Sequence, residues 1–88
     1  AIIYPTLGLT GEAGEVANKV KKIIRDDGNK INKGLVQEIS AEIGDCLWYI
    51  SVLADDIGIK LSDIANANLI KLANRKKKGT IHGSGDTR

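Results

Sequence analysis

An all-α fold, an antiparallel helical bundle of three main helices, is what these 88 residues predict, and three observations carry it. Apolar residues recur at three- and four-residue steps in three separate segments. Turn-forming residues, Gly28-Asn29 and Gly58, punctuate them. The apolar palette is Ile, Leu, Val and Ala, with two Tyr, one Trp, no Phe and no Met, a set that favours close helix packing.

The first helix is predicted from Thr10 to Asp26, where Ala13, Val16, Val20, Ile23 and Ile24 mark one face and Lys19, Lys21, Lys22 and Arg25 crowd the later turns. Thr10 is the expected N-cap, and Glu12 and Glu15 would then occupy the early turns, where the helix dipole favours negative charge. Gly28 and Asn29 are expected to stop it. The second helix, from about Gly34 to Asp56, carries Leu35, Ile39, Ile43, Leu47, Ile50 and Leu53 or Ala54 and should be the longest. Gly44 interrupts it at a propensity cost of about 1 kcal/mol, which implies a close approach of another backbone or a ligand. Ser62 is expected to cap a third helix running to roughly Lys77, with Leu61, Ile64, Ala65, Leu69 and Leu72 inward. Residues 79–88, with Gly79 and Gly83-Ser84-Gly85-Asp86, have no periodicity and are expected to form a mobile tail.

The length predicts one domain over 1–88, with 1–9 as an N-terminal segment. A chain this short buries a limited fraction of its surface alone, so a partner chain is expected to complete the core. One Cys forms no internal disulfide, and no segment approaches the roughly 20 apolar residues of a membrane span. A reducing cytoplasm is the expected location. The sequence opens on Ala1-Ile2-Ile3-Tyr4-Pro5 without Met, and a preceding piece is expected.

Chemistry enters with the acids. Glu12 and Glu15, and again Glu42 and Asp45, stand three apart on predicted helices, so each pair concentrates like charge that a cation or strong hydrogen bonding must relieve. Hard divalent cations are the natural partners. On a helical wheel Glu42 lies about 80° from the apolar centre, with Glu38 and Asp45 further round, and Glu12 likewise borders its apolar face. Antiparallel packing would bring the two acidic stripes together. The alternative is a solvated acidic surface, but cations are missing at the i+4 positions of the second stripe, where Glu38 meets Glu42 and Glu42 meets Cys46. The third helix carries Asn68, Lys71 and Arg75 as a polar ridge. Asn68 is either a bonded core amide or a cleft residue, and Lys71 and Arg75 taken alone read as an ordinary basic face.

The order of these residues is familiar as a set: Gly8-Leu9-Thr10-Gly11-Glu12-Ala13-Gly14-Glu15-Val16, Glu38, Glu42-Ile43-Gly44-Asp45-Cys46-Leu47-Trp48-Tyr49, Asn68-Leu69-Ile70-Lys71-Leu72, and Arg75. It resembles the MazG-like nucleoside triphosphate pyrophosphohydrolases over roughly residues 5 to 86. The resemblance implies an all-α enzyme that cleaves the bond between the α- and β-phosphates of NTPs or dNTPs, releasing a monophosphate and pyrophosphate with magnesium, or manganese in its place. It implies Glu12, Glu15, Glu42 and Asp45 as metal ligands. Glu38 would bind metal through water or act as base, and Glu42 and Glu38 are the expected catalytic acids. Asn68, Lys71 and Arg75 would grip phosphates, Tyr49 would touch the nucleoside, and Trp48 would pack at an interface. A homodimer or homotetramer is also implied. Family members usually carry a helix ahead of the Gly-Leu-x-x-Glu segment, whereas Ala1 to Leu7 precede Gly8 here, so a preceding piece or a neighbouring subunit is expected to complete the pocket.

Three other readings compete. A non-catalytic helical module could oligomerise and hold nucleic acid through Arg75 to Lys78 and Arg88, but a net charge of +2, an acidic stripe and few stacking aromatics disfavour it. A phosphoribosyl-ATP pyrophosphohydrolase would share the metal site and differ on the nucleoside side. A Cys46/His82 zinc site or nucleophilic dyad has too few soft ligands.

Overall fold

The computed structural model describes residues 1–25, 28 and 30–79, and in them every regular element is an α-helix: α1 (Ile3–Arg25), α2 (Lys33–Asp56) and α3 (Leu61–Lys78). The all-α expectation holds. The chain divides into two compact units, Ala1–Gly58 and Ile59–Arg88, and each is described by itself. The predicted tail lies outside the described residues from position 80 on, as do Asp26 and Asn29 at the end of the first predicted helix.

α1 begins seven residues ahead of its predicted start, so Thr10 is not an N-cap. The overlooked signal is Pro5, which sits in the first turn, where its missing N–H is not needed and its fixed φ suits the helix. The threonine hydroxyls instead donate back along the helix, Thr6 to the carbonyl of Ile2 at 2.6 Å and Thr10 to that of Thr6 at 3.1 Å. With the start corrected, the first turn holds no acid. Glu12 and Glu15 are therefore mid-helix residues, and the dipole no longer accounts for them. Lys22 and Arg25 do fall in the last turn, where the dipole favours cations.

α2 starts one residue before its predicted position because Asn32 caps it. Its backbone is extended, and its Oδ1 accepts the Leu35 N–H at 2.9 Å. Replacing Asn32 with Ala should cost about 1 kcal/mol, checked by urea unfolding, while Asn32→Asp should cost far less. At the other end Gly58 takes φ +76°, a conformation that side chains with a Cβ resist, and its N–H bonds the carbonyl of Asp55 at 3.0 Å.

The two helices pair as an antiparallel hairpin. Tyr49 neighbours Tyr4 and Gly8, while Glu42 and Asp45 neighbour Glu12, so position rises along one helix as it falls along the other. The seam is thin: Ile23, Leu35 and Ala54 are its buried hydrophobic residues, with Pro5 also buried at its open end. Burial of Ile23 and Leu35 contributes on the order of 2 kcal/mol each. Several residues of the predicted apolar stripes stay outside the seam, Ile24 at 68% exposure, Leu47 at 52% and Ile43 at 48%. Half-buried Glu12 and Glu42 occupy it instead.

In the second unit α3 starts at Leu61 after Lys60, whose carbonyl accepts the N–H groups of Asp63 at 3.0 Å and Ile64 at 3.1 Å. Ser62 is thus a first-turn residue and not the predicted cap. Asp63 in the first turn and Arg75 to Lys78 in the last complement the dipole, and Gly79 ends the helix in the left-handed conformation. Leu61 and Leu72 are half-buried, whereas Leu69, predicted inward, is exposed. Arg75 is the buried residue of α3.

Candidate metal centre

The hairpin register sets the acids face to face. Glu12 stands mid-way along α1, Glu42 and Asp45 one turn apart on α2, and carboxylate oxygens of all three lie within 4.8 Å of one another. Glu12 and Glu42 are half-buried and Asp45 is exposed. Ionised carboxylates only accept hydrogen bonds, so a shared proton or a cation relieves three of them this close. Glu12 registers the strain. Its carboxyl is pushed above the ordinary value by partial desolvation, then by the charge of Asp45, by a hydrogen bond with Glu42, and by the charges of Glu42 and Glu15.

The sign of the linkage follows from that shift. A carboxyl whose proton is held more tightly in the folded chain contributes less stability as pH rises from the ordinary glutamate range through its raised value. In metal-free buffer, Glu12→Gln should therefore raise the melting temperature at neutral pH and change it little near pH about 4. Thermal unfolding followed by circular dichroism across that range checks it.

The other acids expected at the site stand apart from this trio. Glu15 is exposed and accepts a long hydrogen bond, 3.5 Å, from Asn18 Nδ2 on its own helix. Glu38, one turn before Glu42, is also exposed. Tyr49 lies one turn beyond Asp45, half-buried against α1 at Gly8, with its ring centroid 6.2 Å from that of Tyr4 and the planes inclined by 54°. Its phenol is held above the usual value, first by the neighbouring phenol of Tyr4, then by burial and by the charges of Glu12 and Asp45. Gly8 and Tyr4 were not singled out as site residues by the sequence. For Gly8 the available signal was a glycine four positions before Glu12 in a helical run; for Tyr4 there was none.

Within the second unit Asn68 and Lys71 line an open groove of about 500 Å³ with Ile59, Asp63, Ile64 and Ala67. Arg75 follows Lys71 by four positions and is buried. Trp48 is exposed, Cys46 is a half-buried free thiol beside Asp45, and His82 falls outside the described residues. No helix among the described residues is long and apolar enough to cross a membrane.

A helical hairpin that gathers carboxylates from both of its arms is in keeping with what comparison with known proteins finds. The chain belongs to the MazG nucleotide pyrophosphohydrolase domain family, whose match spans residues 5–80. It is similar to the Gene 37 protein of Mycobacterium phage L5, at 49% identity over 85 residues that cover 97% of this chain and 75% of that protein. No solved structure gave a significant match.

Proposed function

We propose that the protein is a metal-dependent nucleotide pyrophosphohydrolase that cleaves the α–β phosphoanhydride of NTPs or dNTPs to a monophosphate and pyrophosphate. The observation that carries this reading is the trio Glu12, Glu42 and Asp45, gathered from two helices in a chain of this family. The donors are all hard oxygens, which suit Mg2+ or Mn2+. The carboxylate oxygens of the trio lie within 4.8 Å of one another, and a small hard cation would draw them closer to share it. A bound divalent ion would neutralise phosphate charge and make a coordinated water more acidic.

The roles of the chain's own residues follow from their chemistry. Glu12, Glu42 and Asp45 hold the ion, and Glu15 joins as a fourth ligand. Its exposed 3.5 Å bond to Asn18 is worth under about 1 kcal/mol, so a cation would draw the carboxylate away. Glu38 is free to orient the attacking water and, with Glu42, to accept its proton. Lys71 and Arg75 supply positive charge to the pyrophosphate leaving group and Asn68 a hydrogen bond to phosphate oxygens. Tyr49 contacts the nucleoside. A homodimer or homotetramer is proposed to cover the exposed Ile24, Ile43, Leu47 and Trp48, and the reducing cytoplasm suits a chain with one free thiol.

The test is a panel of NTPs and dNTPs with magnesium, following pyrophosphate separately from orthophosphate. Pyrophosphate with a monophosphate is the expected product pair. Orthophosphate with a diphosphate would reassign the bond cleaved, and no turnover of any nucleotide would leave a helical binding module.

A further inference from the structure

We infer that Tyr4 is a positioning residue for the nucleoside end of the substrate, because it and the bare backbone at Gly8 clamp the Tyr49 ring beside the acid trio. The inference rests on the proposed reading of Tyr49 as the nucleoside contact. Tyr49 follows Asp45 by four residues and Gly8 precedes Glu12 by four, so the Gly8/Tyr49 layer stands one helical turn, about 5.4 Å, from the acid layer. A substrate whose phosphates are held at the acids has its sugar and base within reach of such a layer. On this side of the trio the wall is aromatic.

What fixes that wall is local. A Cβ at Gly8 would overlap the Tyr49 ring, so the ring lies directly on the α1 backbone. Tyr4, one turn earlier, meets it at 6.2 Å and 54°, within the range of tilted aromatic pairs. The ring is thus closed off by backbone on one side and by a second ring on another. Tyr4 itself is 75% exposed, so little of its own burial is at stake and its contact with Tyr49 is its main structural role.

The experiment compares Tyr4→Ala and Tyr4→Phe with the parent chain, measuring pyrophosphate release from a nucleoside triphosphate with magnesium and competitive inhibition by inorganic pyrophosphate. Tyr4→Ala should raise KM for the nucleotide about five-fold, the order an aromatic contact of this kind is worth, with kcat changed much less. Its inhibition constant for pyrophosphate, which has no nucleoside, should stay at the parental value. Tyr4→Phe, which keeps the ring, should recover most of the KM. An unchanged KM in Tyr4→Ala, an equal rise in KM and in the pyrophosphate constant, or failure of Tyr4→Phe to rescue would each overturn the positioning role while the parent's activity stands. A parent chain that turns over no nucleotide would overturn both readings.

Discussion

Glu42→Gln and Asp45→Asn are each expected to lower magnesium-dependent pyrophosphate release at least about a hundredfold, since even outer-shell partners of metal ligands cost roughly 10- to 100-fold when removed. Both substitutions keep the size and helix compatibility of the side chain. Both also remove negative charge from a cluster that already drives the Glu12 proton affinity upward. The metal-free fold should accordingly be as stable as the parent or slightly more so, with unchanged helix content by far-UV circular dichroism. Loss of activity without loss of stability is the signature of acids kept for a ligand at a structural cost. Glu15→Gln should act in the same direction but less strongly, because that carboxylate must turn from Asn18 to take part. If Glu42→Gln and Asp45→Asn both retain parental turnover, the chemistry lies elsewhere on the chain.

The second large effect belongs to Gly8. Replacing a mid-helix glycine by alanine ordinarily stabilises a helix by about 1 kcal/mol. Gly14, on the same helix, has open space where its Cβ would go, so Gly14→Ala measures that gain. Gly8→Ala receives the same gain and must in addition displace the Tyr49 ring, an overpacking that costs about 1–3 kcal/mol. The two variants should therefore differ by that amount in urea unfolding, with Gly8→Ala the less stable. Gly8→Ala should also raise KM for the nucleotide, since the ring it expels is the proposed nucleoside contact. Equal stability of the two variants would show that Tyr49 moves aside freely, and the clamp would lose its basis.

Much of this arrangement was legible in the residues. The second and third helices begin or end within about one residue of where periodicity and glycine place them, because Leu35 to Ala54 and Leu61 to Leu72 repeat at helical steps and Gly58 and Gly79 close them. The first helix was read seven residues short. Thr10 looks like a cap candidate, and only the position of Pro5 in a first turn reveals that it is interior. The seam was read in part: Ile23, Leu35 and Ala54 of the predicted stripes are buried and Ile39 and Ile50 half-buried, but other stripe residues are not. A wheel centred on Ile and Leu assumes that the most apolar face is the one buried within the chain. Here Ile24, Ile43 and Leu47 face outward and Glu12 and Glu42 face each other.

The acids illustrate where residue spacing stops being informative. Pairing at i and i+3, with antiparallel packing of the two acidic stripes, singled out Glu12, Glu15, Glu42 and Asp45 as one candidate cluster, without showing which of them would meet. The structure groups Glu12 across the hairpin with Glu42 and Asp45. Helical spacing fixes which side chains share a face, while the direction a long, flexible carboxylate takes depends on neighbours such as Asn18. Gly8 and Tyr4 show the same limit. The meaning of each depends on Tyr49, more than forty residues away, and no local pattern encodes that meeting.

Whether Glu12, Glu42 and Asp45 together hold a divalent cation is decided by electron paramagnetic resonance of Mn2+ added to the full chain, with and without a non-hydrolysable α,β-imido nucleotide. The free-ion signal should be lost on addition of the parent chain, with tighter binding when nucleotide is present, competition by magnesium, and weak or no binding by Asp45→Asn. A parent chain that leaves the Mn2+ signal unchanged in both conditions, or an Asp45→Asn chain that binds as tightly as the parent, would contradict a cation shared by the three.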